Sequence, residues 1–335
     1  MEHRLCAVIA AIAIAAALPG VASAHVGRTL PVATDFTARI LAVTPGLHAV
    51  VVDGDQSLWL RVPAASTATV PGTLGEPLLR FDPGGVWLNL RSPTAQADGI
   101  DRFALRPAAS PTAPPLWHRV TSGHAYRWHE HRLHLLEPLA HGRDTAGALG
   151  PWAVPVVVDG RRGGVRGVLD YTPPGAGWAW LGGAIALAVA AAVAATRWPQ
   201  ALTGLAIAAT ALAWALRIGR ELYGRPSVGA VGYGGVALTC AIGAALLYGL
   251  TRRDTSVRRF TAFLVGFCAL YEGLTMLPLL THSIALSALP TRAARVLEVF
   301  LLAGGIGTLV GSIFGAVREG WAAEAAEAQW AGGKR

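Results

Sequence analysis

Apolar and polar positions alternate over the first half of the chain and give way to long unbroken apolar runs in the second. Alternation with a period of two marks strands that bury one face. It predicts strands at 38–43, 47–52, 58–62, 78–81, 86–90, 117–121, 125–129, 152–158 and 165–171. Thr44-Pro45-Gly46, Asp53-Gly54, Asp82-Pro83-Gly84-Gly85 and Asp159-Gly160 punctuate them with turn chemistry. Short strands at this spacing predict an all-β antiparallel sandwich of the Ig or cupredoxin kind. The proline-rich stretch 107–115 is expected to separate two sub-sheets. No internal repeat is evident.

The second half reads as a helical transmembrane bundle. Apolar runs at 178–196, 200–217, 228–250, 259–280 and 294–317 have the length of about five membrane spans. Trp178 and Trp180 stand where an interfacial aromatic belt belongs. Gly307, Gly311 and Gly315 recur every four residues, a spacing that lets helices approach closely. The expected lipid bilayer partner follows from these runs.

The N-terminus reads as a secretory signal peptide over 1–24. His3 and Arg4 form a short basic region, an apolar stretch follows, and Ala22-Ser23-Ala24 is a small-x-small cleavage site. The expected organisation is a signal at 1–24, an exported domain at 25–175, a transmembrane domain at 176–317 and a cytoplasmic tail at 318–335. The expectation is a multi-pass protein of a bacterial plasma membrane, with the N-terminal domain extracytoplasmic and the C-terminus cytoplasmic. Arg252, Arg253, Arg258 and Arg259 then fall inside, with Arg318, Lys334 and Arg335 of the tail. Arg217, Arg220, Arg225, Arg292 and Arg295 fall outside, a modest bias of the right sign.

Composition agrees. Hydrophobic residues make up 53% of the 335 and charged residues 14%, a membrane-protein balance. The net charge of +8 does not point to nucleic acid, because it collects in loops between apolar runs and sets topology. Cys6 lies in the signal, and Cys240 and Cys268 lie in expected helices, so the exported domain has no disulfide.

The candidate chemistry is a histidine cluster. His118, His124, His129, His131, His134 and His141 fall close together, around Trp128-His129-Glu130-His131-Arg132-Leu133-His134. On a strand His129 and His131 share one face, so two imidazoles can close on one metal ion. The zincin pattern H-E-x-x-H is absent, because Leu133 stands where its second histidine would be. Cleavage after Ala24 would leave His25 as a terminal residue offering both its amine and its imidazole. Nitrogen ligands without thiolate or thioether favour Cu(II), and after it Zn(II). The candidate ligands are His25, His129, His131 and His134. Cys268, Glu272 and Met276 share a helix face, with Cys240 at similar depth, and form a second candidate set within the membrane.

Three strings carry a resemblance. Gly75-Glu76-Pro77, Asn89-Leu90-Arg91-Ser92-Pro93 and the segment Trp128 to His134 resemble the G-E-P, N-x-R-S-P and W-H-[DE]-H-R-x-H motifs of a family of uncharacterised bacterial membrane-anchored proteins. Trp152 to Gly160 and Val165 to Leu169 are similar to the last hairpin of CopC-like periplasmic copper proteins, although Arg161 stands where those place a histidine ligand. A terminal histidine with a distant H-x-H is also similar to the cupredoxin subunit of particulate methane monooxygenase, which implies His25, His129 and His131 as ligands. Three readings stay open. One is a copper-binding or copper-handling protein. Another is an envelope scaffold that binds a protein partner and keeps its histidines for structure. The third is a metal-dependent hydrolase or oxidase; the expectation leans away from an enzyme.

Overall fold

The computed structural model describes residues 31–100, 107–135, 145–224 and 226–332. The expected signal at 1–24, the candidate ligand His25 and also His141 lie outside the described residues. The chain divides into two compact units, a β unit built on Thr34–Pro173 and a helical unit built on Pro174–Tyr223 and the chain from Val228 onward.

A two-residue strand β1 (Ala33–Thr34) precedes the strands of the β unit, which begin with β2 (Phe36–Val43), β3 (His48–Val52), β4 (Ser57–Arg61), β5 (Ala68–Pro71), β6 (Pro77–Asp82) and β7 (Gly85–Asn89). A short helix α1 (Pro93–Ala97) is followed by β8 (Trp117–Thr121), β9 (Ala125–His129), β10 (Gly147–Val158) and β11 (Arg161–Tyr171). The strands β2 to β11 form two antiparallel sheets. One has seven strands in the order β2-β11-β10-β5-β6-β7-β8, and the other has three in the order β3-β4-β9. Asp159 and Gly160 join β10 to β11 with φ of 47° and 77°, the left-handed pair that a two-residue hairpin turn requires.

Alternation does the work expected of it. Leu58 and Leu60 of β4 are fully buried while Trp59 between them is not. Val154 and Val156 of β10 alternate with exposed positions in the same way. Both sheets feed one apolar core, with Leu58, Leu60 and Trp128 from the small sheet and Leu79, Phe81, Leu88, Val154 and Val165 from the large one. Each such side chain contributes about 1.5–3 kcal/mol by leaving water. The proline-rich connector does not separate two sub-sheets as expected. The strands on either side of it, β7 and β8, are hydrogen-bonded neighbours, with Asn89 opposite Trp117.

The helical unit contains α2 (Gly177–Arg197), α3 (Pro199–Glu221), α4 (Ala230–Leu250), α5 (Thr255–Met276), a single turn α6 (Pro278–Thr281) and α7 (Thr291–Gly332). All five expected spans are therefore helical. Among the described residues four helices are long and apolar enough to cross a membrane, namely Gly177–Arg197, Gln200–Glu221, Gly232–Leu250 and Thr291–Ala322. The fifth, α5, carries Arg258 and Arg259 near its start and Glu272 near its end, and it ends at Met276 before Pro278 instead of reaching residue 280. α7 runs unbroken through residues 317 and 318, where a span and a separate tail were expected. Its small residues meet α2: a Cβ on Gly307 would lie 2.7 Å from the Ala191 Cβ, and one on Gly311 would lie 2.6 Å from the Ala195 Cβ. Close helix packing through small side chains accounts for that spacing.

Candidate metal centre

The site grows out of the end of β9. This strand pairs with β4, Ser57 opposite His129 and Leu58 opposite Trp128, and the Glu130 N–H extends the ladder to the Gln56 carbonyl at 3.2 Å. The strand stops there. Glu130 caps a 3₁₀ turn, His131–Leu133, by accepting from the Arg132 N–H. His131 therefore does not share a strand face with His129, as the sequence pattern had implied. The turn does the gathering instead, and it brings in His134 as well.

The side chains that turn inward hold the turn down. Glu130 is fully buried. It accepts from the Trp128 Nε1–H at 2.9 Å and from Arg132 through Nε at 2.7 Å and Nη2 at 2.6 Å. Arg132 also donates to the Pro71 carbonyl at 3.0 Å. Leu133 is sealed in the apolar core. A two-pronged guanidinium–carboxylate pair fixes geometry as well as charge. With residues 128, 130 and 133 committed to the interior, the three imidazoles are left on the other side.

Those imidazoles form a triangle. Ring centres are 4.8 Å apart for His129 and His131, 4.9 Å for His129 and His134, and 5.6 Å for His131 and His134. Three rings bound to one ion at about 2.0–2.1 Å, with near-tetrahedral angles, would have centres roughly 5 Å apart. Among the described residues no three His, Cys, Asp or Glu side chains are gathered at coordinating distance.

Two rings are held from behind by buried carboxylates. His131 Nδ1 pairs with Asp98, whose side chain is 2% exposed, and His134 Nδ1 lies 3.1 Å from Asp55, whose side chain is 6% exposed. Gln56 Nε2 lies 3.4 Å from the same His134 nitrogen. A carboxylate that accepts from Nδ1–H leaves the Nε2 lone pair pointing away as a ligand, the usual arrangement behind a metal-bound histidine. His134 Nε2 is buried and has no hydrogen-bond partner among the described residues. Burial pushes the Asp98 carboxyl above the usual carboxylate range, against the opposing pull of His131. A cation at the rings would offset that cost.

Sequence reasoning missed the two aspartates, because their partners lie 33 and 79 residues away. It did single out the motifs that place one of them. Asp98 is the C-cap of α1, whose N-cap is Ser92 and whose first residue is Pro93. Ser92 donates to Glu76 at 2.6 Å, and Glu76 also accepts from the N–H groups of Thr94 and Leu74. Asn89 donates to the Pro77 carbonyl at 2.8 Å and accepts from the N–H groups of Arg91 and Leu116. The G-E-P and N-x-R-S-P strings thus lock together and position the helix whose C-cap, Asp98, meets His131. Hydrogen bonds from Ser92 and Thr94 outweigh the effect of burial and hold the Glu76 carboxyl below its usual range. His118 lies on β8 in the other sheet, and His124 lies in the turn before β9.

The second candidate set is looser. Cys240 on α4 and Cys268 on α5 are both half-buried free thiols. Met276 is buried in the helical core, and Glu272 faces α3, its Oε1 3.7 Å from an Arg217 guanidinium nitrogen. Comparison with family models, with curated proteins and with solved structures finds no match for this chain.

Proposed function

We propose that the β unit is an extracytoplasmic metal-binding domain, for copper in the first place, carried on a membrane-embedded helical anchor. The observation that carries the reading is the triangle of His129, His131 and His134, with the first nitrogens of two rings held by buried Asp98 and Asp55. Three imidazoles without a sulfur ligand suit Cu(II) or Zn(II), and a fourth position is left for water or for the terminal His25. His131 is 37% exposed at its side chain, which gives an ion a path in. Two sheets sharing one core support the sandwich reading of this domain. Four long apolar helices support the membrane location, and Arg252, Arg253 and Arg258 between α4 and the body of α5 support an inner face there.

A scaffold reading also has an observation behind it, since the two Asp–His pairs could serve as closed ion pairs. The unpartnered, buried His134 Nε2 favours the metal reading over it. The test uses the full chain purified in detergent micelles, loaded with Cu(II) or Zn(II) and dialysed. The expected result is one bound ion per chain, with a nitrogen-rich paramagnetic spectrum for Cu(II), lost when His129 and His131 are both changed to alanine. A folded wild-type chain that retains neither metal would end the reading.

A further inference from the structure

The end of the helical unit at which α2 gives way to α3 is rich in arginine. Arg197 closes α2, and Arg252 and Arg253 lie between α4 and α5. Arg258 and Arg259 stand near the start of α5, and Arg318 stands on α7. Of the acids at this end, Asp254 caps α5 through the Ser256 and Val257 N–H groups, and Glu319 pairs with Arg259. Glu324 follows further out along α7.

A groove of about 460 Å³ opens here among α2, α3, α5 and α7, a volume within the range of small-ligand sites. Two glycines make its floor. A Cβ on Gly311 would lie 3.1 Å from Leu202 Cδ1, and one on Gly315 would lie 3.0 Å from Arg259 Nε. Gly315 thus admits a guanidinium against the α7 backbone. Gly311, Phe314, Gly315, Arg318 and Trp321 are three or four residues apart and share one face of α7. Phe314 is 61% exposed, Trp321 is 69% exposed, and Arg318 is exposed between them. The groove is apolar around Gly311 and cationic at its rim, and it lies at the end of the apolar span Thr291–Ala322.

An apolar channel with a cationic rim at the end of a span has the polarity of an amphiphile. Tryptophan belongs at headgroup level, and basic pockets between spans hold phosphate headgroups. A guanidinium binds phosphate through two parallel hydrogen bonds. The carboxylate now on Arg259 belongs to Glu319, whose side chain is 56% exposed, and so exposed a pair is weak enough for a phosphate to displace. A zwitterionic headgroup would bring its own cation among the arginines. We propose that the groove binds one anionic phospholipid, its phosphate on Arg259 and Arg318 in place of Glu319, its acyl chain along Phe314 towards Gly311. The proposal rests on the membrane location of the helical unit and is independent of the histidine centre.

The test titrates phosphatidylglycerol, phosphatidylcholine and inorganic phosphate into the full chain in nonionic micelles. Bound lipid is counted by native mass spectrometry, and entry of the chain into phosphatidylcholine vesicles is measured by flotation. One phosphatidylglycerol per chain should be retained, about tenfold or more tighter than phosphatidylcholine. At about 1 kcal/mol per arginine, Arg318→Gln should weaken it about fivefold, and Arg259→Gln with Arg318→Gln about 25-fold. Glu319→Gln should bind at least as tightly as wild type, because the competing carboxylate is gone. Equal retention of the two lipids overturns the proposal. So does unchanged affinity in Arg318→Gln, an exposed position that remains informative if the double variant does not fold. Equal loss in Glu319→Gln and Arg259→Gln would make the ion pair structural and overturn it too. Inorganic phosphate that displaces the lipid at equal concentration would overturn it in favour of a free-anion site, and a dimer that excludes the lipid would overturn it in favour of a second copy. A chain that does not enter the vesicles overturns the membrane location itself; one that enters them without preferring phosphatidylglycerol in micelles overturns this proposal alone.

Discussion

Asp98→Asn isolates the contribution of the carboxylate behind His131. The amide keeps the shape and still accepts from Nδ1–H, so the ring keeps its tautomer while the negative charge is lost. Replacing an orienting carboxylate behind a metal-bound histidine costs about 10–100-fold in affinity, or about 1.4–2.7 kcal/mol. The loss should fall in the upper half of that range. His131 is the more exposed ring, 37% at its side chain against 16% for His134, so Asp98 is its main restraint. Asp55→Asn should also weaken binding, because the Gln56 Nε2–H beside the same His134 nitrogen is itself a donor and cannot replace the carboxylate as acceptor. Stability of the metal-free protein should change by less than about 1 kcal/mol, since Asp98 Oδ2 is buried without a partner and its replacement leaves that balance unaltered. The assay is competition with a chelator of known copper affinity, alongside denaturant unfolding of the metal-free chain. Affinity within twofold of wild type in a variant that unfolds like wild type would refute the orienting role. A large loss of metal-free stability with unchanged metal affinity would favour structural histidines.

Glu76→Gln should destabilise the β unit by about 1.5–3 kcal/mol at neutral pH, since hydrogen bonds to an ionised group are lost. The Glu76 carboxyl is held below its usual value of 4.5, so its contribution is full above that pH and is lost as the pH falls through the lower folded value. The gap between wild type and variant in urea unfolding should therefore close in acid, and a constant gap would contradict the assignment. Leu133→Ala should cost about 2–5 kcal/mol and weaken metal binding together with stability, because this side chain anchors the turn that presents His131 and His134; unchanged thermal unfolding would count against it. Gly307→Val should lower the melting temperature of the helical unit in micelles, by overpacking worth about 1–3 kcal/mol against Ala191.

Much of the β unit was legible because strand alternation and turn residues agree. The strand expected at 117–121 is found at Trp117–Thr121, and Asp159-Gly160 makes the expected hairpin. β5 escaped notice because Ala68–Pro71 follows an Ala/Ser/Thr run and ends on a proline, which dilutes the apolar signal. α1 escaped notice although Ser92-Pro93 is a cap followed by a first-turn proline, because five residues carry too little periodicity. His129, His131 and His134 were singled out for a partly mistaken reason. The strand face that should join the first two ends at His129, and the capping by Glu130 that makes the turn is a tertiary event. Asp55 and Asp98 could not be read as partners at all, since nothing local links them to the rings. The helices were legible from hydropathy.

Trp128 sits one residue from the first histidine, sealed in the core, with its indole N–H on the carboxylate that organises the turn. The chain thus carries an optical sensor wired to its candidate centre. A paramagnetic ion at the rings would quench that indole from a fixed short distance, and the indole can neither collide with solvent quenchers nor drift from its post. Site occupancy becomes visible, without label, as loss of the Trp128 share of an emission to which eleven tryptophans contribute.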